Sequence, residues 1–152
     1  MVIGLSIRIP NETNRYLYDI LKDTDICNFV CSISYDEVLY TEDGINKTSL
    51  FSSDVVDGTE MMERIKFNKY YLIFIDIKAF PTKDDIVEVE NYNDYLNSYC
   101  NTIVLCTDSQ YIDIYSKKEE LLETVTNNCI RCNFPYHVIT EKNNLRTKMS
   151  VY

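Results

Sequence analysis

The residues of this chain best suited to chemistry are its thiols, one imidazole and a few acids. Cys129-x-x-Cys132 matches half of a zinc knuckle, and Cys27-x-x-x-Cys31 offers two further thiolates. A structural zinc site needs four such ligands in a tetrahedron, so that reading requires the fold to bring both pairs together. Against it, Cys27, Phe29, Cys31 and Ile33 recur at every second residue, as the core positions of a strand do. Cys129 falls on the apolar side of a helical pattern, and free cysteine is among the most buried residue types. The thiols therefore read as apolar core and no metal is expected, with Cys27, Cys31, Cys129 and Cys132 as the alternative ligand set. A redox CxxC normally precedes a helix whose N-terminus activates the first thiol, whereas this one follows a helix. His137 is the only histidine. It could serve Cys106, Cys129 or Cys132 as a base, but no third group is identifiable to orient it.

One acid stands apart from the rest. Asp76 ends the apolar run of residues 70–75. A carboxylate there is either a strand end open to water or a buried group that needs a partner, and buried acids concentrate at functional sites. Asp76 and Tyr71 accordingly mark a candidate ligand-binding pocket lined by tyrosine and acid. Three glycines cannot build a phosphate-cradling loop, and no catalytic residue or cofactor is expected.

The elements that would position these groups are legible from periodicity. Residues 2–9 alternate as a strand, with Ile3, Leu5, Ile7 and Ile9 on one face, and Pro10 ends it. Asn11 is placed to cap a helix running to about Lys22. Residues 26–34 read as a second strand that 36–40 continue or pair with, and 41–57 as an irregular excursion. Asp57 and Glu60 have capping-box spacing before a short helix with Met61, Met62 and Ile65 on its apolar side. Residues 70–77 are apolar on both faces, which predicts a central strand covered on both sides. Val87 and Val89 suggest a short exposed strand, and 92–99 one or two helical turns. Residues 102–107 and 111–115 form a hairpin, although its loop lacks the usual glycine. Ser116 and Glu119 then suggest a capping box for a helix carrying Leu121, Leu122, Val125 and Cys129, ending near Asn127-Asn128. Residues 136–140 and 145–151 complete a second hairpin. Strands in runs with few helices predict an α+β fold. The expected architecture is a single mixed or largely antiparallel sheet with two main helices and one or two short ones. Nothing resembles a linker, so residues 1–152 read as one domain.

Charge is unevenly distributed. The chain has a net charge of −9 and a pI near 4.6. Residues 36–63 hold eight acids against Lys47, and 83–113 hold seven against Lys83, whereas 131–152 carry Arg131, Lys142, Arg146 and Lys148 against Glu141. An acidic protein repels phosphate backbones, so no nucleic-acid partner is expected. If 145–151 is a strand, Arg146 and Lys148 share its solvent face and form a small basic patch, the candidate interaction site. Exposed ion pairs contribute only about 0–1 kcal/mol each, so a monomer is favoured over a homodimer held by that patch. The opening residues lack the charge and apolar length of a signal peptide, and no run reaches the roughly 20 apolar residues of a membrane span. A cytoplasmic protein with reduced thiols and no membrane partner is expected.

Several segments together resemble a known family. They are Arg8-Ile9-Pro10-Asn11, the run Asn68-Lys69-Tyr70-Tyr71-Leu72-Ile73-Phe74 with Lys78-Ala79-Phe80-Pro81, Asp108-Ser109 with Tyr111, and Arg146-Thr147-Lys148 with Ser150-Val151. Over essentially its full length the chain resembles the uncharacterised proteins of low-GC Gram-positive bacteria known as domain of unknown function 2691. That resemblance supports one domain and implies no activity, substrate or ligand. The residues favour a non-catalytic binding or interaction protein with a protein partner. The alternatives are a small-molecule-binding protein or enzyme with a Tyr/acid-lined pocket, and an acidic inhibitor or immunity-type protein that plugs a basic enzyme.

Overall fold

The alternation at the start of the chain produces β1 (Val2–Arg8) in the computed structural model, which describes residues 1–151. Leu5, Ile7 and Ile9 join the main core. Ile3 does not, because a bulge between Val2 and Gly4 turns it to the other face. Asn11 caps no helix. The chain bends through residues 11–13 to Asn14, which exchanges two backbone hydrogen bonds with Tyr70, and α1 (Tyr16–Leu21) starts later than expected.

A 3-10 turn over Asp25–Asn28 replaces the expected beginning of the second strand, and β2 (Val30–Glu42) runs unbroken through the 36–40 segment. The 41–57 stretch is more regular than its composition suggests, contributing β3 (Ile45–Lys47) and β4 (Val55–Asp57). Helix α2 (Gly58–Phe67) is capped by Asp57, whose carboxylate accepts the Thr59 N–H, and it buries Met61 and Ile65. Gly58 is required there, since a Cβ would lie 2.3 Å from the Ile26 carbonyl oxygen.

The central strand is β5 (Tyr71–Phe80), followed by the short helix α3 (Tyr92–Asn97). Val87 and Val89 form no strand: residues 86–90 are irregular, with Val89 buried and Val87 exposed. The hairpin of β6 (Thr102–Thr107) and β7 (Tyr111–Ser116) forms without glycine because Asp108 and Ser109 take left-handed conformations, at φ 51° and 65°. Ser116 closes β7 instead of capping a helix. Lys118 takes the cap position of α4 (Glu119–Cys132), which continues past Asn127 and Asn128. The Asn128 amide explains the continuation, donating to the carbonyls of Ile20 and Lys22, both at 2.8 Å. Asn133, at φ 59°, ends the helix before β8 (Tyr136–Thr140).

These eight strands form one open sheet in the order β3-β2-β5-β6-β7-β1-β8, with β4 also paired to β2, and every pairing is antiparallel. The fold is α+β. Alternate residues of β6 show how the two faces are covered. Val104 and Cys106 enter the main core with α1, α2 and α4, while Ile103 and Leu105 enter a second cluster with Phe80, Tyr115 and Tyr95 of α3. The second face has less apolar cover, and it carries the candidate site.

Candidate functional site

Asp76 and Lys78 lie two positions apart on β5, so both side chains project from its second face. Neither has been left in water: Asp76 is 1% exposed and Lys78 5%. The Lys78 ammonium donates to Asp76 Oδ1 at 2.5 Å, and the other carboxylate oxygen accepts the Val151 N–H at 3.4 Å. An ammonium has three donors, and among the described residues Asp76 is the acceptor for one of them. The pair forms part of a groove of about 810 Å³, beside Ser32, Ser34 and Tyr35 of β2. Register explains that company, because Lys78 faces Ser32 and Asp76 faces Tyr35 across the β2–β5 ladder.

Two irregular segments make the opposite walls, residues 86–91 and the C-terminal stretch including Thr147, Lys148 and Ser150. Arg146 fastens the second of these to the sheet. Its guanidinium donates to Asp113 Oδ2 at 2.9 and 3.1 Å and to the carbonyls of Lys148 and Ser150. Met149 is buried in the second cluster, and its N–H donates to the Glu90 carbonyl at 2.9 Å. The C-terminal segment is thus a strap across the sheet, joined to the 86–91 wall by backbone and to the floor by Asp76. Floor and walls together present Asp76, Glu88 and Glu90 against Lys78 and Lys148, with several hydroxyls between.

Comparison with known proteins places the chain in a family. The model for "Protein of unknown function (DUF2691)" matches residues 2–150. This chain belongs to that family. It is also 31% identical over 150 residues to "Uncharacterized protein YncE" of Bacillus subtilis (strain 168), covering 97% of this chain and 98% of that protein. No solved structure matches.

In this member of the DUF2691 family the groove unites some of the expected residues and separates others. Asp76 is in it, buried and paired. Tyr71 is not: it lies further back on β5 and its hydroxyl donates to Asn11 at 2.5 Å, so the tyrosine of the groove is Tyr35. Arg146 and Lys148 do not share a strand face, because 145–151 makes no strand. Arg146 turns inward onto Asp113, Leu145 is 93% exposed, and Lys148 alone lines the groove. Arg146 is held within the molecule, by Asp113.

The cysteines occupy separate places. Cys27 sits in the 3-10 turn, Cys31 in β2, and Cys129 and Cys132 in α4; all are free, and no metal-holding group forms among the described residues. Burial pushes the Cys31, Cys100, Cys106 and Cys129 thiols up to about 12, which makes them poor nucleophiles. His137 lies on β8 opposite Ser6, on the face away from Cys106 and Cys129. No helix among the described residues is long and apolar enough to cross a membrane.

Lys78, Ser32 and the strap were missed by sequence reasoning. The signal for Lys78 was present, a second charge two residues after Asp76, but the strand was expected to stop at Ile77. A larger hollow of about 1000 Å³ lies between β1, α3, α4 and β8 and is mostly apolar. Its lysine, Lys117, is exposed, donates to the Ser98 carbonyl at 2.7 Å and lies 4.9 Å from the Tyr95 ring. Water can complete its hydrogen bonds, which sets it apart from Lys78.

Proposed function

We propose that this protein binds a small polar molecule, without turning it over, in the groove above Asp76 and Lys78. The observation that carries the reading is a buried ion pair that opens onto a groove of suitable size, with Asp76 as the one acceptor of the Lys78 ammonium among the described residues. Ligand sites typically measure about 300–1,000 Å³ and hold a few convergent polar groups. Stability supplies no reason to retain such a pair, since replacing a buried ion pair by apolar residues is often neutral or stabilising by about 1–4 kcal/mol. Two lysines, three acids and hydroxyls form a set suited to recognition, and neither a thiol nor the imidazole lines the groove.

Equilibrium dialysis against a low-molecular-weight extract of Bacillus subtilis, read by mass spectrometry, tests the reading. At least one polar metabolite should be enriched by the wild type and not by a folded Asp76→Leu, Lys78→Met double variant. Equal enrichment by both proteins, or by neither, would contradict it.

A further inference from the structure

The charges of the groove are layered. Lys78 lies at the floor beside Asp76, which among the described residues accepts one of its three donors, while Glu88 and Glu90 are exposed residues of the wall. Three acids and two lysines give the groove a net charge of −1 within a protein of −9. We propose that the ligand is a small zwitterion of the amino-acid class, a free α-amino acid or a dipeptide, with its carboxylate on Lys78 and its ammonium toward Glu88 and Glu90. This rests on the reading of the groove as a binding site and adds the chemistry of what enters it.

Each simpler ligand leaves one layer unsatisfied. An anion would satisfy Lys78 but would approach past two acids in a negative field. A cation would be drawn to those acids yet would leave the buried ammonium still short of acceptors, a costly arrangement in a low-dielectric site. A neutral polyol offers oxygens to Lys78 but no counter-charge to the wall. A zwitterion supplies the acceptor at depth and the positive charge above it. Lys148, an exposed residue of the strap, lines the same groove, and two exposed acids against this one lysine leave the upper layer net negative.

Calorimetry with the twenty L-amino acids and a dipeptide set would test the proposal, alongside their C-terminal amides, their N-acetyl forms, glucose and inorganic phosphate. At least one amino acid or dipeptide should bind. Its amide should bind about tenfold more weakly or worse, the loss expected when a hydrogen bond to a charged group disappears. A Glu88→Gln, Glu90→Gln variant keeps the buried pair and alters only exposed wall residues, so it should fold. It should weaken the zwitterion severalfold and leave the N-acetyl form unweakened. Binding of glucose or phosphate that the Asp76→Leu, Lys78→Met variant abolishes, without amino-acid binding, would overturn the ligand class and keep the site. Amino-acid binding that both variants retain would overturn the site as well. No binding by any amino acid or dipeptide would overturn the zwitterion assignment.

Discussion

Taking Asp76 and Lys78 out of water costs several kcal/mol per ion, and their single short hydrogen bond offsets that cost only in part. A specific pattern of variants follows. Asp76→Leu alone, or Lys78→Met alone, should destabilise the fold by about 3–5 kcal/mol, because each leaves the other charge buried without a partner. The double variant should match or exceed wild-type stability in urea denaturation. A double variant as unstable as either single one would show that the pair holds the fold together. Asp76 was legible in the sequence because an acid stands out in an apolar strand. Its partner was not, because the apolar run points to a strand end at Ile77, short of the end of β5 at Phe80, and so leaves Lys78 outside the strand. Tyr71 was singled out by proximity in sequence, whereas the tyrosine beside Asp76 comes from β2 through a register that a bulge sets.

Among the elements, the C-terminal strap shows where alternation misleads. Residues 145–151 have the period of a strand, but side chains hold them in place, chiefly Arg146 on Asp113 and Met149 in the second cluster. Arg146→Ala should release the strap and cost about 1–3 kcal/mol, since it removes charge-assisted hydrogen bonds and leaves Asp113 half-buried without its partner. The sharper readout is hydrogen exchange: the Met149 amide should lose protection while amides of β6 keep theirs. Retained protection at Met149 would mean that apolar contacts alone hold the strap. The β6–β7 hairpin makes a second case. It was foreseen from its flanking strands, but its missing glycine was resolved by left-handed Asp108 and Ser109. Ser109→Gly should therefore raise stability by roughly 0.5–1 kcal/mol, measured by the midpoint of denaturation. Unchanged or lower stability would show that the serine side chain compensates for its backbone.

The whole molecule is a sheet with unequal cover, three helices over one face and one short helix with a strap over the other. Composition and periodicity conveyed the class, the central strand and the helix-covered core. The site escaped them because irregular segments build its walls, and such segments carry no period. Titration of the core makes a prediction at this scale. Four thiols with an ordinary value of 9.0 are pushed by burial to about 12, so the folded state holds protons that the unfolded state releases. Stability should be intact below pH 9 and fall as pH rises toward 12, by up to about 1.4 kcal/mol per pH unit for each thiol. Denaturation midpoints at pH 8 and pH 10.5 should differ sharply, and equal midpoints would show that the thiols are accessible. The central claim, that the groove over Asp76 and Lys78 holds a small molecule, is tested most directly by amide chemical shifts. Spectra of the labelled protein would be recorded with and without the metabolite fraction that it enriches. Shifts should gather at Ser32, Ser34, Asp76, Lys78, Glu90 and Ser150. Shifts that gather instead around Leu96 and Val138, in the apolar hollow, would contradict the assignment.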